Sequence, residues 1–171
     1  MISFYLNIFI MENNMIIGVI SDTHGEFIKM DKAMERLKEC NIIFHLGDNY
    51  KDVEYLKGKY NVEIIAIKGN CDTVNKLSKE KIYIVNDKTI FLTHGDCYNV
   101  KSNILNLTYR AFEVNADIVL YGHTHVPIID KVQNTIFMNP GSVGKPRNAH
   151  STVGIIEIND KNEANYNIIE I

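Results

Sequence analysis

The chain has 171 residues, a net charge of −3 and 23% charged residues, a size at which one domain buries a core without disulfides or a structural metal. The mild acidity and the absence of any Lys/Arg cluster argue against a dedicated nucleic-acid binder, which needs a phosphate-neutralising face. Cys40, Cys71 and Cys97 are odd in number and irregular in spacing, so no disulfide framework is implied, and reduced thiols in the cytoplasm are the default.

Met1 to Ile10 is nearly all apolar but too short for a bilayer span, which takes about 20 residues. It also lacks the positive flank and small-residue cleavage site of a signal peptide. Met15 stands directly before a strand-like run, so residues 1–14 read as a leader and 15–171 as the domain. Met15 to Ile20 reads as a buried strand. Phe27 to Cys40 reads as a helix with Phe27, Met30, Met34 and Leu37 on one face. Ile42 to Leu46 is a second strand, Val53 to Tyr60 a short helix and Val62 to Ile67 a third strand. Helical connections between strands imply parallel pairing in an α/β arrangement. Lys81 to Val85 and Thr89 to Thr93, separated by Asn86-Asp87-Lys88, read as a hairpin. Ser102 to Asn115 is a helix with Ile104, Leu107, Ala111 and Val114 inward, and Asp117 to Tyr121 is a strand. From Pro127 the helical period disappears. Ile128 to Val132, Thr135 to Met138, Val153 to Ile158 and Asn165 to Ile171 follow as strands suited to a second sheet. Two sheets flanked by helices is the expected architecture.

Five polar motifs close these strands: Asp22-Thr23-His24-Gly25, Gly47-Asp48-Asn49, Gly69-Asn70-Cys71-Asp72, His94-Gly95-Asp96 and Gly122-His123-Thr124-His125. Ligands collect at the carboxyl edge of open α/β sheets, so the recurrence carries more weight than any single motif. Residues two apart in extended chain point the same way. Asp22 with His24, and His123 with His125, could then each offer two donors to one cavity. The neighbouring glycines let the chain turn after each strand. Imidazole, carboxylate and amide oxygen together suit Mn²⁺, Fe, Zn²⁺, Ni²⁺ or Co²⁺ better than Ca²⁺ or Mg²⁺ alone.

The ordered set resembles the calcineurin-like metallophosphoesterases. Gly69-Asn70-Cys71-Asp72 and the small size resemble their YfcE-type phosphodiesterase branch, over Met15 to Ile171 and including Asn139-Pro140-Gly141-Ser142. The resemblance implies a four-layer αββα sandwich of two mixed sheets. It implies two divalent ions, Mn²⁺ or Ni²⁺ first, with Zn²⁺, Fe²⁺ or Co²⁺ as alternatives. One ion would be held by Asp22, His24, Asp48 and His125, the other by Asp48, Asn70, His94 and His123, with Asp48 bridging. It places Asp48, Asn70, Cys71 and His94 at the reaction, in which a hydroxide between the ions attacks a phosphate ester in line with the leaving group. The substrate would be a small-molecule phosphate ester, most simply a diester, and the chain a homodimer or higher homo-oligomer without a membrane partner. Many relatives carry histidine where this chain has Cys71. A thiol is a weaker donor without imidazolium charge, so slow turnover or an undemanding leaving group is expected.

Two other functions stay open at this level. The same fold serves without catalysis as a protein-binding scaffold, as in the retromer subunit that resembles these enzymes, usually after losing metal ligands. A nuclease or nucleotide phosphatase would share the centre, but a nuclease usually adds a basic groove or a further domain. Of the remaining candidates, His45 reads as structural, His150 as an exposed loop residue and Cys40 as core. Cys97 is undecided. Asp72 and Asp96 read equally as turn residues or as partners orienting imidazoles. Lys145 and Arg147 read first as a solvated loop, with contact to a substrate phosphate as the alternative.

Overall fold

The computed structural model describes residues 14–73 and 76–171; apart from Asn14, the leader expected before Met15 lies outside them. Strands β1 (Met15–Ile20), β2 (Ile42–His45) and β3 (Glu63–Ala66) alternate with helices α1 (Phe27–Arg36) and α2 (Tyr50–Lys59). Then come β4 (Glu80–Val85), β5 (Lys88–Thr93), a 3-10 turn at Asp96–Tyr98, α3 (Leu105–Glu113) and β6 (Ile118–Leu120). Four strands complete the order: β7 (Ile128–Val132), β8 (Thr135–Asn139), β9 (Thr152–Ile158) and β10 (Ala164–Glu170).

The strands form two five-stranded mixed sheets, ordered β10-β9-β1-β2-β3 and β4-β5-β6-β8-β7. Between the sheets, Ile17, Val19, Phe44, Leu92, Ile118, Leu120, Met138 and Ile156 build one dry layer. On the outer face of the first sheet, Met30, Ala33, Met34 and Leu37 of the α1 segment and Val53 and Leu56 of α2 pack over Ile20, Ile43 and Ile64. Leu107 and Ala111 of α3 cover Phe91, Val119 and Phe137 of the second. The central strands thus bury both faces, which explains the continuous apolar runs of β1, β2 and β6. The architecture is the four-layer αββα sandwich.

Three expectations need correction. The strands after Pro127 do not share a sheet. β7 and β8 join β4 to β6, whereas β9 returns to pair antiparallel with β1, Met15 against Ile158. Strand periodicity reports which face is buried and carries no information about the partner. Phe27 does not join the inward face of α1; it is 48% exposed and meets the Tyr55 ring edge-on, centroids 4.7 Å apart. The hairpin turn is only Asn86-Asp87, because Lys88 already pairs with Val85. Both turn residues have positive φ, 44° and 63°, as a two-residue hairpin turn of the right twist requires.

Parallel register sets the site. Ile20, His45 and Ala66 lie side by side at the ends of β1, β2 and β3, and Leu92, Leu120 and Met138 do the same for β5, β6 and β8. The loops leaving these ends are stitched to one another, twice within a sheet and once between the two. Asp22 N–H donates to Gly47 O at 3.1 Å, Gly122 N–H to His94 O at 3.0 Å and Val143 N–H to Ser21 O at 3.1 Å. Among the described residues, no helix is long and apolar enough to cross a membrane.

Candidate metal centre

Asp22, His24, Asp48 and His125 each offer a donor atom, and these atoms all lie within 4.8 Å of one another. His125 Nε2 is 3.0 Å from Asp22 Oδ1 and 3.4 Å from His24 Nε2. His24 Nε2 is 3.9 Å from both Asp22 Oδ1 and Asp48 Oδ2. A second set adjoins the first. His94 Nε2 lies 3.4 Å from Asp48 Oδ1, 3.1 Å from Asn70 Oδ1 and 3.1 Å from His123 Nδ1. All seven residues named from the motifs therefore converge, with Asp48 facing both sets.

The local geometry differs from the extended pairs that spacing alone suggests. Asp22, His24, Asp48, His123 and His125 have φ of 53°, 47°, 63°, 68° and 60°, in the left-handed region that few non-glycine residues adopt. Such residues persist where the surroundings over-determine them, and they gather at functional sites. Glycine enters for two reasons. Gly47 itself has φ of 97°. Gly122 has no such angle, but a Cβ there would run into Ser21 Oγ and come within 2.8 Å of Asp22 Oδ2, so space excludes every other residue.

Hydrogen bonds fix which ring nitrogen faces inward. His94 Nδ1 lies 2.7 Å from the Leu46 carbonyl and His125 Nδ1 lies 2.6 Å from the Lys145 carbonyl. A carbonyl only accepts, so both rings carry their proton on Nδ1, and a neutral ring turns the Nε2 lone pair inward. Asp22 is fully buried. Its Oδ2 accepts from Ser21 Oγ at 2.5 Å and from His123 N–H at 3.1 Å. Its Oδ1 has no hydrogen bond, and the His125 Nε2 3.0 Å away carries no proton in the tautomer that Lys145 O selects. An orphaned carboxylate oxygen beside a second buried carboxylate is costly unless a cation meets it. The donor set therefore fits divalent metal.

The electrostatics agree. Burial opposes ionisation of Asp22, but His125, His94 and Ser21 outweigh it and hold its carboxyl below the usual range. His125 moves upward through its contact with Asp22, against burial. Burial instead pushes His24 down, against the pull of Asp22 and Asp48. Burial, with His94 and Lys101 adding to it, does the same to His123.

The neighbours divide between props and bystanders. Asp72 is a brace: its carboxylate accepts from Asn49, Tyr50 and Gly69 N–H at 3.0, 2.6 and 2.8 Å. Cys71 is exposed; its N–H donates to Asp48 Oδ1 at 2.9 Å. Desolvation and the carboxylates of Asp48, Asp72 and Asp22 push its thiol up to about 11. Asn139 and Ser142 gain a role the motif alone did not reveal. Asn139 Nδ2 donates to Gly122 O at 2.8 Å, and Ser142 Oγ donates to Asp22 O at 2.8 Å. Lys145 and Arg147 bring their backbones to His125, through Lys145 O and through Arg147 N–H to His125 O at 3.2 Å. His45 and Cys40 are buried, while His150 and Cys97 are exposed.

Comparison with known proteins fits this geometry. A probable metallophosphoesterase of Methanocaldococcus jannaschii is 35% identical over 160 residues, covering 91% of this chain and 82% of its own. The Escherichia coli phosphodiesterase YfcE is 27% identical over 116 residues, 58% of this chain and 59% of its own. Among solved structures, vacuolar protein sorting 29 from Cryptosporidium parvum has the same fold. Its TM-score is 0.73 at 15% identity, over 92% of this chain and 98% of that one. The model of the calcineurin-like phosphoesterase superfamily domain matches residues 15–161, and the chain belongs to that family.

Proposed function

We propose that this chain is a phosphodiesterase built on two divalent ions. Asp22, His24, Asp48 and His125 hold one ion, and Asp48, Asn70, His94 and His123 hold the other. The observation that carries this reading is Asp48, whose two oxygens face His24 on one side and His94 on the other. Ions bound there supply Lewis acidity, bringing the pKa of water toward neutrality and offsetting charge on phosphoryl oxygens. The chain contributes placement. Leu46 O and Lys145 O hold two imidazoles in the ligating tautomer, and Cys71 N–H fixes one Asp48 oxygen. The Cys71 thiol, lacking imidazolium charge, offers a leaving group only a weak donor. Turnover is then slow, or the leaving group needs little protonation.

The relative named YfcE is a phosphodiesterase, which supports a diester. Mn²⁺ or Ni²⁺ suits the donors first, with Zn²⁺, Fe²⁺ or Co²⁺ as alternatives. Residues 15–171 act in this reading as one cytoplasmic metallophosphoesterase domain, self-associating and taking a small phosphate ester. The likeness to vacuolar protein sorting 29 keeps a binding scaffold as the second reading, although all seven donors are present here. Metal analysis and assays with Mn²⁺ or Ni²⁺ on an aryl phosphodiester and its monoester decide between them. Bound metal with diester hydrolysis that Asp48→Asn removes is the expected result. Silence with every metal means a scaffold, and faster monoester cleavage means a phosphatase.

A further inference from the structure

Behind the donors runs a buried polar chain that no motif announces. Gly47 N–H donates to His45 Nδ1 at 3.3 Å, which leaves the proton of the neutral ring on Nε2. That nitrogen lies 3.1 Å from Thr23 Oγ1, and the Thr23 hydroxyl donates to Asp52 Oδ2 at 2.6 Å. Gly25 N–H donates to the same oxygen at 2.8 Å, and Asn49 Nδ2 donates to Asp52 Oδ1 at 3.0 Å. Thr23, His45 and Asp52 are 0%, 1% and 0% exposed.

The sequence positions give this chain its meaning. Thr23 and Gly25 flank His24, and Gly47 and Asn49 flank Asp48. One carboxylate therefore ties together the two loops that carry three of the four donors in the first group. A helix N-terminus favours an acidic residue in its first turn, which explains an Asp in α2. It does not explain why Oδ2 turns toward the Thr23–Gly25 loop, while Oδ1 meets the Asn49 side chain at the start of the helix. Asp22, His24, Asp48 and Asn49 have φ of 53°, 47°, 63° and 87°, each costing on the order of 1 kcal/mol or more. Such a run relaxes unless something else holds it.

We infer that Asp52, acting through Thr23 with His45 behind it, is a positioning residue that sets His24 against Asp48 and so governs how tightly the first group holds a divalent cation. The inference rests on the two-metal reading above. It separates Asp52 from an ordinary structural acid, because the loss it predicts is in metal affinity rather than in the fold.

The test is Mn²⁺ binding to the metal-free full chain by calorimetry, beside the metal-free Tm. Thr23→Val removes the hydroxyl and Thr23→Ser restores it. Asp52→Asn keeps the shape but removes the charge, and the Asn49 amide can flip to meet the new donor. Thr23→Val and Asp52→Asn are each expected to weaken Mn²⁺ binding by about tenfold or more. Thr23→Ser should stay close to wild type, and the metal-free Tm should move little in Asp52→Asn. Wild-type affinity in both weakened variants overturns the inference alone. So does a Thr23→Ser protein as impaired as Thr23→Val, since packing would then be the cause. Should Thr23→Val not fold, Asp52→Asn against wild type decides by the same criterion. A wild-type chain that takes up no Mn²⁺ overturns the two-metal reading and this inference together.

Discussion

In the first donor group Asp22, His24, Asp48 and His125 all have positive φ, whereas in the second only the shared Asp48 and His123 do, and Asn70 and His94 do not. The first group is laced from below by Ser142, Thr23 and Asp52. Of the donors the second adds, His94 is a buried ring held by Leu46 O, His123 lies beside it, and Asn70 offers an exposed amide. The contrast teaches that the fold fixes the first group through strain that its neighbours must support. Asn70 and His94 of the second group sit on relaxed backbone, and Asn70 is exposed, so Asn70 should tolerate change better.

That contrast can be broken most directly by removing one donor from each side. His125→Ala is expected to lower diesterase activity by about a hundredfold, and Asn70→Ala by about tenfold, across the range typical when metal support is lost. Metal analysis of both should show the deeper loss in His125→Ala; equal losses would mean that strain and burial make no difference. Gly122→Ala, which drives a methyl group against Ser21 and Asp22, should cost about 1–3 kcal/mol in denaturant unfolding and weaken metal uptake.

A pH series sharpens the comparison next. In metal-free protein, burial lowers His24, His45 and His123 below the ordinary 6.5. The unfolded chain then binds more protons, so their contribution is present above that pH and fades below it. For Asp22, burial is outweighed by His125 and its other neighbours and the pKa is lowered, so its contribution fades at still lower pH. His125, raised by Asp22, runs the other way, its contribution being full below 6.5 and lost as pH rises. Three lowered histidines outnumber one raised, so the Tm in chelator should fall by a few degrees from pH 7 to pH 5. A flat or rising Tm would reverse the assignment. The smallest effect is expected of Cys71→His, which should change the rate or the preference between esters while metal content stays constant. No change with any substrate would remove Cys71 from the reaction.

The donors were legible because each motif ends an apolar run, and parallel strands bring their ends to one edge. Their backbone was not. Asp22 and His24 read as an extended pair, and left-handed φ appears only once Gly47, Gly122 and Ser142 crowd the loops. Asp52 escaped notice because an acid near the start of a short helix looks like an ordinary terminus residue. Its partners, Thr23 and Gly25, lie 29 and 27 positions away. The return of β9 to β1 was hidden for a related reason, since alternation along Val153 to Ile158 is the same in either sheet.

That return of β9 bears on how the molecule is made. β1 emerges early in synthesis, yet one of its two neighbours is encoded more than a hundred residues later, and Ser142 and Val143 buttress Ser21 and Asp22 from the same late stretch. Pairings so distant along the chain close slowly. A chain cut upstream of β9 lacks the antiparallel partner of β1, and such a truncation is expected to abolish metal uptake.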